Sequence, residues 1–167
     1  PGNYGKMPKI GNYSSTVTIV SSDTNNPAVF SEAYPNGSKN VVIDSVIFDY
    51  TYSSGQKNTH GPFQFINVTN FTIQNSLFDG DLNNGAGFGR VLFRNSNNIT
   101  FDNNEFIKWW KALTGGNTTN FTFINNNVHQ IRSDGLAIGE INQSLIENNW
   151  FHDFGGLAGS GDHRDSI

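Results

Sequence analysis

"NVTNFTIQNSLFDG", residues 67–80, states a pattern that recurs in "NSNNITFDNNEF", residues 95–106. Three more stretches fall under them: "VVIDSVIFDY" from Val41, "FTFINNNVHQ" from Phe121 and "SLIENNWFHD" from Ser144. Aligned, one column reads Ile43, Ile73, Phe101, Phe123, Ile146, and another reads Phe48, Phe78, Phe106, Val128, Phe151. Between them runs Ser45, Asn75, Asn103, Asn125, Asn148. The copies are spaced unevenly, wider near the start of the chain than near its end. Self-similarity at a period of roughly 20–50 residues marks a fold built from repeated units, each unable to bury its apolar face alone.

The units are strands. Apolar and polar residues alternate with period two, and no helical period appears. A second short strand follows most copies: "FQFIN" from Phe63, "VLFRN" from Val91, "LAIGE" from Leu136. Several short strands per repeat, with loops of variable length, describe one turn of an all-β solenoid. Turns stack at the inter-strand spacing of about 4.8 Å, so like residues lie over like. The Phe and Ile columns are the expected core. The Asn column is expected where the chain bends inward, with amides bonding along the column and to turn backbone. Asn and Gly also tolerate the left-handed backbone that corners need.

Composition narrows the possibilities further. Of 167 residues, 35% are hydrophobic and 14% charged, but 14 Phe, 3 Trp and 5 Tyr are too many aromatics for a disordered chain. A net charge of −4 gives no electrostatic footprint for nucleic acid. No apolar run approaches the roughly 18 residues of a membrane-spanning helix. The absence of cysteine excludes a disulfide scaffold and a thiolate metal site. Eight Asn-X-Ser/Thr sequons occur, at Asn12, Asn36, Asn67, Asn70, Asn98, Asn117, Asn120 and Asn142, but the repeat generates most of them by itself.

These repeats resemble the right-handed parallel β-helix of the pectate-lyase-like superfamily over residues 39–167. The start, "PGNYG" followed by "STVTIVSSD" and "PAVFSEA", is similar to the first coils of such a helix. "VIFDYTY" and "GDHRDSI" resemble β-helix domains of marine bacterial exoproteins and phage tail proteins. The resemblance implies one domain over 1–167 of five to six coils, with 1–38 leading into regular coils over 39–167. "HRDSI" aligns with "RSDGLAI", which places Asp165 above Asp134, His163 above Arg132, and Ile167 at the first core position of another coil. The chain therefore reads as a fragment of a longer one, truncated at both ends. Fold alone does not give function, because this architecture hosts lyases, hydrolases, epimerases, adhesins and tailspikes.

Charge gathers in the last three turns. His129 and His152 share a column; Arg132 and Asp134 precede one strand, and His163 and Asp165 the next; Asp153 and Asp162 lie in the adjoining loop. Such a patch suits sugar chemistry. Carboxyls about 5 Å apart match a retaining glycosidase and about 6.5–9.5 Å an inverting one, and like charges that close raise one pKa. Asp134 over Asp165 fits the first spacing and Asp134 with Asp162 the second. "SDGLAI" with "GDHRDSI" is similar to the polygalacturonase signature at Asp134 and Asp165, although His163 and Arg164 interrupt its paired aspartates. Asp-His-X-Asp is also similar to the mannuronan epimerase motif without its proline. A lyase or epimerase needs a cation for the sugar carboxylate, Arg132 or Arg164, and a base, His129, His152 or His163.

"FIKWWKAL", from Phe106, sets Trp109 and Trp110 in a loop between Lys108 and Lys111. Trp stacks on sugar rings and Lys attracts an acidic glycan. Neighbouring residues point to opposite faces, so one Trp belongs to the core. Calcium is a candidate ligand near Asp79 and Asp81 or near Asp153 and Asp162, since it prefers hard oxygen ligands, but no spacing matches an EF-hand or an RTX-type repeat.

Two readings of function follow. One is a secreted, carbohydrate-binding or carbohydrate-active β-helix, a lyase, epimerase or hydrolase acting on an acidic polysaccharide. The other is a virion tailspike or tail-fibre domain that binds a cell-surface glycan, forms a homotrimer and need not be catalytic. An ice-binding solenoid fits poorly, since it needs regular Thr-rich rungs and these turns are uneven in length.

Overall fold

A computed structural model describes residues 2–57, 60–82, 89–156 and 158–167. Among them are fifteen strands and no helix. In chain order these are β1 (Gly2–Asn3), β2 (Asn12–Val20), β3 (Ala28–Phe30), β4 (Lys39–Asp44), β5 (Ile47–Asp49), β6 (Phe63–Ile66), β7 (Thr69–Gln74) and β8 (Leu77–Asp79). There follow β9 (Arg90–Arg94), β10 (Asn97–Asp102), β11 (Glu105–Ile107), β12 (Lys111–Ile124), β13 (Asn127–His129), β14 (Leu136–Glu147) and β15 (Trp150–His152).

Every pairing between these strands is parallel. One sheet runs β1-β3-β5-β8-β11-β13-β15, and a second runs β2-β4-β7-β10-β12-β9-β6 with β14 on β12. The second sheet curls because β12 serves two walls: Lys111–Gly116 lies on β9 and Asn97–Asp102 of β10 lies on the segment beyond the corner. Asn117, at that corner, has φ 50°. The result is an all-β stack of parallel strands, consistent with a parallel β-solenoid.

Both apolar columns of the sequence appear in the register. Ile43 pairs with Ile73, Ile73 with Phe101, Phe101 with Phe123 and Phe123 with Ile146. Phe48 pairs with Phe78, Phe78 with Phe106, Phe106 with Val128 and Val128 with Phe151. Ile19 and Phe30 carry the columns one turn further back, onto Ile43 and Phe48. The rings of Phe48, Phe78 and Phe106 stack 4.5 Å apart at each step. Each fully buried Phe contributes roughly 1.5–3 kcal/mol by leaving water, with about 0.5–1.5 kcal/mol more from each ring pair.

The Asn column meets its expectation in part. Ser45, Asn75, Asn103, Asn125 and Asn148 all have positive φ, so they do sit at corners. Yet Asn75, Asn103 and Asn125 are exposed, and they bond along the outside: Asn103 Nδ2 donates to Asn75 Oδ1 at 2.8 Å. The inward ladder is one residue later, at Ser76, Asn104, Asn126 and Asn149. Asn104 Nδ2 donates to the Ile73 carbonyl at 2.9 Å, and Asn126 Oδ1 accepts the Asn104 backbone N–H at 2.9 Å. A residue in left-handed backbone turns its side chain outward, and the next side chain then points in. The sequence alignment therefore found the corner but not the residue that fills it.

In "FIKWWKAL", Trp109 and Trp110 lie in the loop between β11 and β12, as expected. The pair Ala112–Leu113 that follows lies inside β12, with Leu113 paired to Val91 on one side and to Leu136 on the other. It is the copy of the second strand that the alignment lacked. Trp109 enters the core: it is 0% exposed, its Nε1 donates to the Phe78 carbonyl at 2.9 Å, and its ring stacks on Tyr50 at 5.7 Å. Gly80 makes room for it, since a Cβ there would come within 2.8 Å of the indole.

Candidate functional site

Beyond the corner that follows the short strands β11 and β13, side chains alternate in and out. Ile131 and Ser133 are buried; Arg132 and Asp134 face outward. The backbone holds this segment on the turn before it: Arg132 N–H donates to the Trp109 carbonyl at 2.9 Å and Ser133 N–H to the Trp110 carbonyl at 2.8 Å. Trp110 therefore lies beside Arg132 on the outer flank. Gly135 N–H donates to the Asp165 carbonyl at 2.9 Å, which sets Asp165 opposite Asp134 in the next turn.

Asp162 ties this flank together. Arg132 Nε donates to its Oδ2 at 2.7 Å, and the Trp110 Nε1 reaches its Oδ1 at 3.4 Å. Ser160 Oγ donates to it as well. The Asp162 side chain is only 9% exposed and that of Arg132 16%. Burial opposes the charged carboxylate, but the Ser160 hydrogen bond, the bond and charge of Arg132, and the Trp110 N–H outweigh it and hold the pKa below the usual carboxylate range. Beside it, Lys111 Nζ pairs with Asp134 and lies 5.1 Å over the Trp110 ring. Ser133 Oγ donates to Asp134 at 3.1 Å. Of the expected residues, Trp110, Lys111, Arg132 and Asp134 are thus brought together, with Asp162 at their centre.

The histidines form a separate arrangement on the outer face of β13 and β15. Their rings stack 4.8 Å apart at an interplanar angle of 5°. His129 Nε2 meets Glu105 Oε1 at 2.7 Å; His152 has both ring nitrogens engaged, with Asp153 at 2.8 Å and Asn127 at 2.9 Å. Among the described residues no hydrogen bond or ion pair joins either histidine to the Arg132–Asp162 pair. His163, Arg164 and Asp165 are exposed. Lys108 bonds both oxygens of Asp79, at 3.0 and 3.3 Å.

For calcium, the four candidate carboxylates already have partners: Asp79 holds Lys108, Asp81 accepts the Tyr52 N–H at 3.1 Å, Asp153 holds His152 and Asp162 holds Arg132. Among the described residues no three His, Asp or Glu gather as a metal site. An apolar cavity of about 380 Å³ lies elsewhere, lined by Met7, Ile10, Ile19 and Phe30, where the core columns begin.

Sequence reasoning missed Glu105, which shares the outer face of its sheet with His129 one turn on. It also missed Trp150, 65% exposed and stacked 3.8 Å from His152. Both are outward positions in strands whose inward residues carry the repeat, so the alignment gave them no signal. Comparison with models of known protein families, with curated proteins and with solved structures gave no match.

Proposed function

We propose that this protein is a right-handed parallel β-helix of five to six coils that binds an acidic polysaccharide along the flank carrying Trp110, as a secreted protein or part of a virion. The observation that carries this reading is the convergence of an indole, a guanidinium and an ammonium on one partly buried patch. Arg132 has five N–H donors and, among the described residues, commits only its Nε and one Nη2 contact, both to Asp162. The remaining edge is held rigid by that carboxylate, and a planar fork of this kind suits a uronate carboxylate. Lys111 adds a point charge, and the indole adds an apolar face for a sugar ring.

The patch supports binding better than hydrolysis. A glycosidase needs one carboxyl kept protonated near neutral pH. Here Asp162 is shifted the other way and Asp134 holds Lys111. Lyase or epimerase chemistry remains open to this flank through Arg132 as the neutralising cation and His163 as the base.

The test is affinity electrophoresis or calorimetry with alginate, pectate and a bacterial capsular polysaccharide, with release of unsaturated uronates and reducing ends measured in parallel. Trp110→Ala and Arg132→Ala should each weaken binding by about tenfold or more, since a desolvated ring or charge contact of this type is worth about 1–2 kcal/mol. Thermal melts guard against misfolding. Wild-type protein that binds none of the three, or variants that bind as wild type does, would overturn the reading.

A further inference from the structure

A second cavity, of about 250 Å³, opens lower on the same flank, where β5 ends. Its walls are polar and come from successive turns, with Ser31 and Glu32 following β3, Asp49 and Tyr50 at the end of β5, and Gln56 and His60 from the loop beyond. We infer that this cleft is a binding site for an uncharged saccharide unit, with Asp49 as the carboxyl that recognises its hydroxyls. The inference rests on the reading of this flank as a glycan-binding surface and adds to it the class of sugar bound here.

Tyr50 Oη donates to Gln56 Oε1 at 2.8 Å, and the Ser53 backbone N–H donates to the same oxygen at 3.1 Å. The amide oxygen is thus fixed, and Nε2, which has no acceptor among the described residues, is the end left to donate. The His60 ring lies 5.8 Å from that of Tyr50, tilted by 35°, and its nitrogens have no partner among the described residues. Asp49 faces the same space. Its neighbour in register, Asp79, is taken by Lys108, and Asp81 accepts the Tyr52 N–H, whereas no described residue donates to Asp49. The cleft therefore presents free donors on one wall and free acceptors on the other. A sugar hydroxyl both donates and accepts, so it satisfies both walls at once.

Charge selects against other occupants. Glu32, Asp49, Asp79 and Asp81 around the cleft would repel a uronate. A metal ion lacks a ligand set, since among the described residues no three His, Asp or Glu gather as a metal site, and Glu32 and Asp79 are approached by Lys6 and Lys108. Burial, together with the charges of Asp79 and Asp81 and against that of Lys108, raises the Asp49 pKa. A carboxyl that takes up a proton more readily can also donate to a hydroxyl. Three strand steps, β5 to β8 to β11 to β13, separate this cleft from the Arg132 level, which is about 14 Å along the stack. The ligand implied for the whole flank is a heteropolysaccharide, with a neutral residue in the cleft and an acidic one at Trp110.

The test pairs two variants with two ligand classes. Neutral oligosaccharides (dextran and galactan fragments), oligouronates and calcium chloride are each titrated into wild type, Asp49→Ala and Trp110→Ala, with binding followed by NMR shifts of His60 and by calorimetry. Neutral fragments should bind wild type with shifts at His60 and lose at least tenfold in affinity in Asp49→Ala, whereas it is the oligouronates that should lose affinity in Trp110→Ala. Gln56→Ala, in the loop, should reproduce the loss if Asp49→Ala folds poorly. Failure of every neutral fragment to bind wild type, or Asp49-dependent binding of calcium instead, overturns the inference and leaves the Trp110 reading standing. Loss of oligouronate binding alone would fault that earlier reading and not this one.

Discussion

Replacing Asn126 by Ala tests the internal ladder most directly. Asn126 is 1% exposed and makes contacts in two directions. Its Oδ1 accepts the backbone N–H of Asn104 at 2.9 Å and that residue's amide at 3.2 Å. Its Nδ2 donates to the Phe101 carbonyl at 3.1 Å and to Asn149 Oδ1 at 3.0 Å. Alanine leaves the buried Asn104 backbone N–H without a partner, at about 1–3 kcal/mol, and removes a hydrogen bond to the Phe101 carbonyl worth about 0.5–1.5 kcal/mol more. That is a large part of the roughly 5–15 kcal/mol typical of a folded domain. Asn126→Ser should lose less, because Ser76 does this work two turns earlier: its Oγ accepts the Val46 N–H at 3.2 Å and donates to the Gln74 carbonyl at 2.7 Å. The assay is urea denaturation, with the midpoint read at constant slope so that a change in cooperativity is not mistaken for one in stability. An Asn126→Ala variant within about 0.5 kcal/mol of wild type, the range of an inconsequential surface substitution, would refute the view that the ladder satisfies buried backbone. A Ser variant as unstable as the Ala one would refute it equally.

Two titrations follow from the same structure. Asp162 has its pKa depressed in the fold, so its contribution to stability is present above the ordinary carboxylate pKa of about 3.9 and disappears as pH falls through the lower folded value; Asp162→Asn should flatten the acid limb of a melting-temperature profile, and an unchanged limb counts against the Arg132–Asp162 pairing. Tyr50 has its pKa pushed up to about 12, first by burial and then by the charges of Asp81 and Tyr52. Its contribution is therefore present below the unfolded value near 10 and is lost as pH rises toward 12. Absorbance of the phenolates should show Tyr50 ionising after its exposed counterparts, and its disappearance from the late phase in Tyr50→Phe checks the assignment.

The core was legible because burial imposes one rule on every turn. Phe48, Phe78 and Phe106 must each be large and apolar, so they align by eye. The corner asparagines were legible for a similar reason, since left-handed backbone restricts the choice of residue. The flank obeys no such rule. Trp109 and Trp110 look alike in sequence, and only the pleat, with Gly80 cleared beneath one of them, sends Trp109 inward and Trp110 out. Asp162 was visible as one acid among several. Its role as partner to Arg132 depends on how the loop after β15 folds back, which no repeat column specifies. Asp49 was hidden for the opposite reason: it occupies a repeat position, the outward end of the short strand, and so looked like ordinary solvent-facing residue choice.

The stack itself explains why ion pairing on this flank is so regular and why Asp49 departs from it. Lys108 reaches Asp79, Lys111 reaches Asp134 and Arg132 reaches Asp162, across 29, 23 and 30 residues of chain. Each is a bond between neighbouring turns, where about 4.8 Å of separation suits a long cation and a short acid. Asp49 has the same address one turn below Asp79 and would be served by a cation there. Its in-register neighbour is instead another carboxylate, and the nearest ammonium, Lys108, bonds that neighbour with both oxygens. Two like charges on adjacent turns of a partly buried wall are mutually destabilising. A fold that matches opposite charges one turn apart elsewhere on the flank leaves this pair unmatched, at the mouth of a cleft with unused donors. Asp49→Asn should therefore stabilise the free protein while weakening its hold on a neutral sugar, two opposite signs from one substitution that a purely structural aspartate would not give.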